Sequence, residues 1–148
     1  MKNLIRIRMT AVLFVILLCG QAVASESKNP LKGLALNDVM QFYLGSATLG
    51  HFEFNQYLFA DSFQFLNGNR LDIKADKGQY LRFLKENSNV ERKCNTAVEV
   101  LEETDHVSIV KVSIDFFNFK RADYVTLNRL DNRWQIIKII SFYTEWKS

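Results

Sequence analysis

An α+β fold, with helices packed on one face of a curved antiparallel sheet, is the class this sequence predicts, and three observations lead to it. From Leu36 to Ala47 apolar residues recur at helical spacing, whereas beyond Val90 nearly the whole chain follows a strand pattern. Turn signals at Asn67-Gly68, Glu103-Thr104-Asp105 and Asp131-Asn132 fold the chain back on itself. A run of helices followed by a run of strands segregates the two kinds of element into layers.

The first 24 of the 148 residues read as an export signal. Lys2, Arg6 and Arg8 form its positive end and Ala11 to Cys19 its apolar stretch. Ala22-Val23-Ala24 is a small-x-small cleavage site. The apolar stretch falls short of the roughly 20 residues that span a bilayer. A lipoprotein signal ending at Cys19 fits less well, because Leu18 stands where a small residue is needed. The expected product is periplasmic or secreted, with no stable membrane anchor once the leader is cleaved. The whole chain carries 19 Lys and Arg against 16 Asp and Glu. The leader takes three bases and no acid, which leaves 16 against 16. No electrostatic footprint for nucleic acid or an anionic membrane remains. The basic pairs Arg92-Lys93 and Lys120-Arg121 read as solvated strand ends. The remaining 124 residues suit one domain. Cys94 is then the lone cysteine and reads as a small core residue.

The elements follow in order. Ser25 to Gly33 is a polar arm, and the domain proper runs from 34 to 148. A first helix spans about Leu36 to Leu49, capped by Asn37 or Asp38 and closed by Gly50. Its stripe is Leu36, Val39, Met40, Tyr43 and Ala47, widened by Phe42 and Leu49. A short helix from Phe52 to Phe59 precedes a strand from Asp61 to Asn67, in which Phe63 and Phe65 share a face. Asn67-Gly68 signals a two-residue hairpin returning through Leu71 and Ile73. Asp76 and Gln79 form a capping box for a third helix, with Tyr80, Phe83 and Leu84 as its buried stripe. Four strands follow, at about Arg92–Glu103, His106–Phe119, Lys120–Leu130 and Arg133–Trp146, with a bulge expected near Phe119.

Tyr43-Leu44-Gly45, Gly50-His51, Phe59-Ala60-Asp61, Asp123-Tyr124 and Asn132-Arg133-Trp134-Gln135-Ile136 stand in an order and spacing that resembles the nuclear transport factor 2-like superfamily, in its SnoaL-like or putative lumazine-binding bacterial branch. The resemblance implies a cone-shaped domain, about three N-terminal helices on the concave face of the sheet, a conical pocket and a homodimer through the sheet. The superfamily hosts isomerases, dehydratases, cyclases and many non-enzymes, so the fold names no reaction.

Tyr43 reads two ways. It is a core tyrosine, or it is the counterpart, by helix register, of the first-helix tyrosine that donates to the developing oxyanion in ketosteroid isomerases. Alignment on Phe59-Ala60-Asp61 puts Asn67 where the isomerase base sits, and an amide cannot accept a proton near neutral pH. Asp115 and Asp123 are the remaining carboxylates in strand context. Asp115 alternates with Lys111 and Ser113, opposite Val110, Val112, Ile114 and Phe116, which suggests an exposed ion pair. The face of Asp123 stays open. Phe63, Phe65, Phe116, Phe117, Phe119, Tyr124 and Trp134 either line a cone or fill it. His51 and His106 are too few and too scattered for a metal site. No phosphate loop, dinucleotide glycine motif, nucleophile elbow or two-cysteine redox motif is present, so no cofactor is expected. The leading expectation is a non-catalytic binder of a small apolar or aromatic ligand, in a pocket of Tyr43, Phe63, Phe65, Phe116, Tyr124 and Trp134. The alternatives are a lyase or isomerase pairing Tyr43 with Asp123 or Asp115, and an interaction module with a filled cone.

Overall fold

The structure, a computed structural model, describes residues 29–88 and 92–145; the proposed leader and the last residues of the final expected strand lie outside them. The elements are α1 (Leu36–Leu44), a π-helical turn (Gly45–Leu49), α2 (Asn55–Leu58), β1 (Phe59–Asn67), β2 (Lys74–Asp76), α3 (Lys77–Glu86), β3 (Asn95–Glu103), β4 (Val107–Asp115), β5 (Phe119–Leu130) and β6 (Arg133–Glu145). They form the expected α+β arrangement, a six-stranded sheet of order β2-β1-β6-β5-β4-β3 with the helices on its inner face. All neighbours are antiparallel except β1 and β6, which run parallel. Four strands from the end of the chain are thus joined to a hairpin from its first half.

The first helix is shorter than its stripe suggests. Its N-cap is Ala35, with no side-chain capping bond. Asp38 lies in the first turn, where a carboxylate meets the positive end of the helix. Regular α geometry stops at Leu44, and the wider turn ends on Gly50 at φ 73°. Gly50 is required twice over, by that left-handed φ and by the Ser88 carbonyl lying where a Cβ would be. The second helix is a single turn. Leu31, in the segment read as an arm, is fully buried, and the Gly33 N–H donates to the Asn132 carbonyl at 2.8 Å.

The turn after β1 is not the two-residue hairpin expected. Six residues separate β1 from the three-residue β2. The Asn67 side-chain oxygen accepts from the backbone N–H of Asn69 and of Arg70, which shapes a longer loop. Gly68 is needed because the Phe142 ring occupies the space of a Cβ, not because of its φ. The capping box of α3 forms as expected, with the Gln79 N–H donating to Asp76 at 2.9 Å. Tyr80 and Leu84 are buried, but Phe83, expected beside them, is 51% exposed.

In the strand half, Asp131 and Asn132 both take positive φ, as a type I′ turn needs. The expected bulge near Phe119 is instead a break. β4 ends at Asp115, and the Phe116 N–H donates to the Phe119 carbonyl across a tight turn. The register shifts lie elsewhere, at Leu101 in β3, at Ile137 in β6 and between Phe59 and Gln64 in β1. An extra residue flips side-chain parity along its strand. Trp134 and Ile136 point inward before Ile137, and Ile139 and Ser141 point inward after it. The core gathers Phe59, Phe63 and Tyr80 into a cluster of edge and tilted ring contacts beside α1. Full burial of one such ring contributes about 2–3 kcal/mol.

Candidate functional site

β5 carries Arg121 and Asp123 two residues apart, so the pleat puts both on one face. Their cross-strand partners fix which face it is. Arg121 lies opposite Ile114 and Tyr143, and Asp123 opposite Val112 and Ser141. Ile114 and Val112 are fully buried, so this is the inner face. α1 brings Tyr43 to the same place. Its hydroxyl donates to Asp123 Oδ2 at 2.6 Å. The Arg121 guanidinium donates from Nε to both Asp123 oxygens at 2.8 and 2.9 Å, and from Nη2 to Asp123 Oδ2 at 2.6 Å and to the Tyr43 oxygen at 3.2 Å. Ser141 donates to Asp123 Oδ1. The carboxylate has no exposed surface, and the arginine side chain keeps 11%.

The electrostatics follow from that burial. The Tyr43 hydroxyl is held well above the ordinary tyrosine range, first by burial and then by the Asp123 charge. Burial pushes Tyr80 up to about 12. For Arg121, burial alone disfavours the charge, but Tyr43 and Asp123 outweigh it and hold the group above its ordinary value. Both phenols are therefore neutral at neutral pH, Tyr43 donating to Asp123, and Arg121 is a cation with its counterion built in.

Beside this network lies a cleft of about 300 Å³ between α3, β1, β2 and the end of β6. Phe65, Ile73, Ala75, Tyr80, Phe83 and Tyr143 supply apolar and aromatic wall; Asn67, Lys74, Gln79 and Arg121 supply the polar groups. Phe65 and Tyr80 stack at 5.2 Å, which stiffens one side. Arg121 Nη1 makes no hydrogen bond to any described residue. That volume and composition match small-molecule pockets, which are largely apolar with a few convergent polar groups.

The structure separates the residues singled out from the sequence. Tyr43 and Asp123 are brought together, but neither lines the cleft. Arg121 and Tyr80 do, with the pair behind them. Phe65 is on the cleft wall. Phe63 and Trp134 are buried to 2% and Phe116 to 9%, so they fill the core beneath the sheet. Tyr124 lies opposite Lys111 and Ile140, on the outer face, edge-on to Phe142. Asp115 is on that outer face as expected and pairs with Lys120 at 3.3 Å. Asn67, the residue that the resemblance aligns with the isomerase base, lines the cleft. Arg121 corrects the reading of Lys120-Arg121 as solvated, because its side chain turns inward to Asp123. Opposite charges two apart on one strand, which the pleat puts on one face, were the available signal for it. Cys94 is half-buried against the core, and burial raises its thiol pKa.

The sequence profile of a family described as putative lumazine-binding matches residues 33–140. No curated protein matches the chain. Among solved structures, the chain is similar to a nuclear transport factor 2-like protein of unknown function from Silicibacter pomeroyi (TM-score 0.62, 15% identity, 76% of this chain and 93% of that one). It is similar also to a nuclear transport factor 2-like protein from Cytophaga hutchinsonii (TM-score 0.58, 13% identity, 72% and 93%). A third is a ketosteroid isomerase-like protein from Erwinia carotovora atroseptica (TM-score 0.59, 10% identity, 72% and 92%). At these identities the likeness is one of fold.

Proposed function

The chain belongs to the putative lumazine-binding family, within the nuclear transport factor 2-like superfamily, and from that premise we propose that it is a non-catalytic binder of a small apolar or aromatic ligand held in the cleft between α3, β1 and β2. One observation carries this reading: aromatic walls converge on Arg121, which lines the cleft and whose Nη1 bonds no described residue. The carboxylate speaks against chemistry. Both Asp123 oxygens are already engaged by Arg121, Tyr43 and Ser141, and the cleft offers an amide, Asn67, in place of a base. A thermal-shift screen of planar aromatic compounds, lumazine among them, tests it. Phe83→Ala should weaken any hit by roughly tenfold through lost apolar contact. A hit indifferent to Phe83→Ala and to Ile73→Ala would place the ligand elsewhere.

The enzymatic reading draws on the 2.6 Å contact between Tyr43 and Asp123. It requires Arg121 to swing away so that a substrate reaches the pair. Turnover of a bound compound, abolished by Tyr43→Phe, would decide for it.

We also propose that the outer sheet face meets a second copy of the chain. Tyr124, Ile109 and Ile140 occupy that face, and Phe142 there is 41% exposed. Export through the N-terminal leader is proposed on sequence grounds, and N-terminal sequencing of envelope material tests it: an intact Met1 would refute cleavage.

A further inference from the structure

An arginine in an aromatic cleft ordinarily suggests an anionic ligand. Here the charge balance argues the other way. The Arg121 guanidinium is bonded at 2.6 to 2.9 Å to the Asp123 carboxylate directly behind it. An anion entering the cleft would meet the cation and its counterion together, so attraction and repulsion largely cancel. It would still lose its hydration, and burying an uncompensated charge is costly. The hydroxyls of Tyr80 and Tyr43 are neutral, with Tyr80 at about 12. Among the described residues Lys74 is the other cation lining the cleft, and it is exposed, where ion pairs contribute about 0–1 kcal/mol. What Arg121 still offers is a donor: Nη1, which bonds no described residue, on a guanidinium that lines the cleft and is held by its fork to Asp123. A neutral acceptor can use that donor at a small desolvation cost.

Resting on the reading of this cleft as the ligand site, we propose that it selects an uncharged planar aromatic ligand bearing a hydrogen-bond acceptor, such as a carbonyl oxygen or a ring nitrogen, and that Asp123 sets this selectivity by cancelling the charge of Arg121. Asp123 acts through Arg121 and does not touch the ligand.

Naphthamide and naphthoate make a matched pair of probes, alike in shape and differing in charge. Calorimetry on the wild-type protein should show naphthamide bound at least about tenfold more tightly than naphthoate. Both affinities should fall in Phe83→Ala. In Asp123→Asn the arginine regains a net charge, so the ratio should narrow or invert in favour of naphthoate. Naphthoate binding as tightly as naphthamide to the wild type overturns the proposal and leaves the cleft reading standing. Failure of both probes to bind, or binding indifferent to Phe83→Ala, overturns the cleft reading and the proposal with it. A preference for naphthamide that persists unchanged in folded Asp123→Asn removes Asp123 as its cause. Should Asp123→Asn not fold, the wild-type ratio decides alone.

Discussion

Substitutions at Tyr43 and Arg121 should differ in cost although both side chains bond the same carboxylate. Tyr43→Phe removes one donor and leaves Asp123 with Arg121 and Ser141, so urea unfolding should show a loss of about 1–3 kcal/mol. Arg121→Leu strands a fully buried carboxylate and should cost about 3–5 kcal/mol. Equal losses from the two would refute the view that Arg121 is the principal counterion. The buried phenols also set the alkaline limit. A tyrosine whose folded pKa is raised binds its proton more tightly in the native state than in the unfolded one. Its contribution is therefore complete below the ordinary value of 10 and is lost as pH climbs toward the folded value. For Tyr80 that window runs from 10.0 to about 12, and its loss amounts to about 2–3 kcal/mol. Parallel tyrosinate absorbance and circular dichroism titrations check this. Ionisation of all tyrosines near 10 without unfolding would contradict it. In the sequence Tyr43 stood out because one polar atom sat in the middle of an apolar stripe. Arg121 did not, because side-chain direction on a strand depends on a register that only the neighbouring strands supply.

Among the elements, α3 and the β1–β2 loop test separate parts of the local chemistry. Asp76→Ala removes the capping box and should lower stability by about 1 kcal/mol. Gly68→Ala drives a methyl into the Phe142 ring and should cost about 1–3 kcal/mol. A neutral Gly68→Ala would mean that the loop yields freely. Chemical denaturation of the two variants supplies both numbers. The capping box was legible because its two residues lie three apart and need nothing else. The existence of the strands from β3 to β6 was legible from the long strand pattern beyond Val90, and the turn at Asp131-Asn132 from residue types that tolerate positive φ. The six-residue loop after Asn67 was not, because Asn-Gly suits a tight hairpin and only the approach of Phe142 shows another use for the glycine. The parity of β6 was not legible either. With isoleucine at 136, 137, 139 and 140, either face reads as apolar until the bulge at Ile137 is seen.

For the whole molecule, light scattering at micromolar concentration should give twice the mass of one chain if the outer sheet faces pair, and Phe142→Lys should shift the mass toward one chain. A single-chain mass for the wild type would end that proposal. The pairing of β1 with β6 carries a different consequence. Phe59 lies beside Ile136 and Asn67 beside Ser141, so the two strands that hold the sheet together are separated by most of the domain's length. As the chain is threaded out, β1 and β2 can form a hairpin, and β3, β4 and β5 a meander, but no strand pairing joins the two until β6 arrives. Contacts of such sequence separation are slow to form, since the intervening chain must be closed into a loop first. Until then the hydrogen-bonding edges of β1 and β5 stand open together, each able to recruit a foreign strand. A chain stopped at Leu130 should accordingly yield two unconnected fragments of sheet and aggregate rather than give a smaller folded domain. In this architecture the last strand translated decides whether everything made before it becomes one protein.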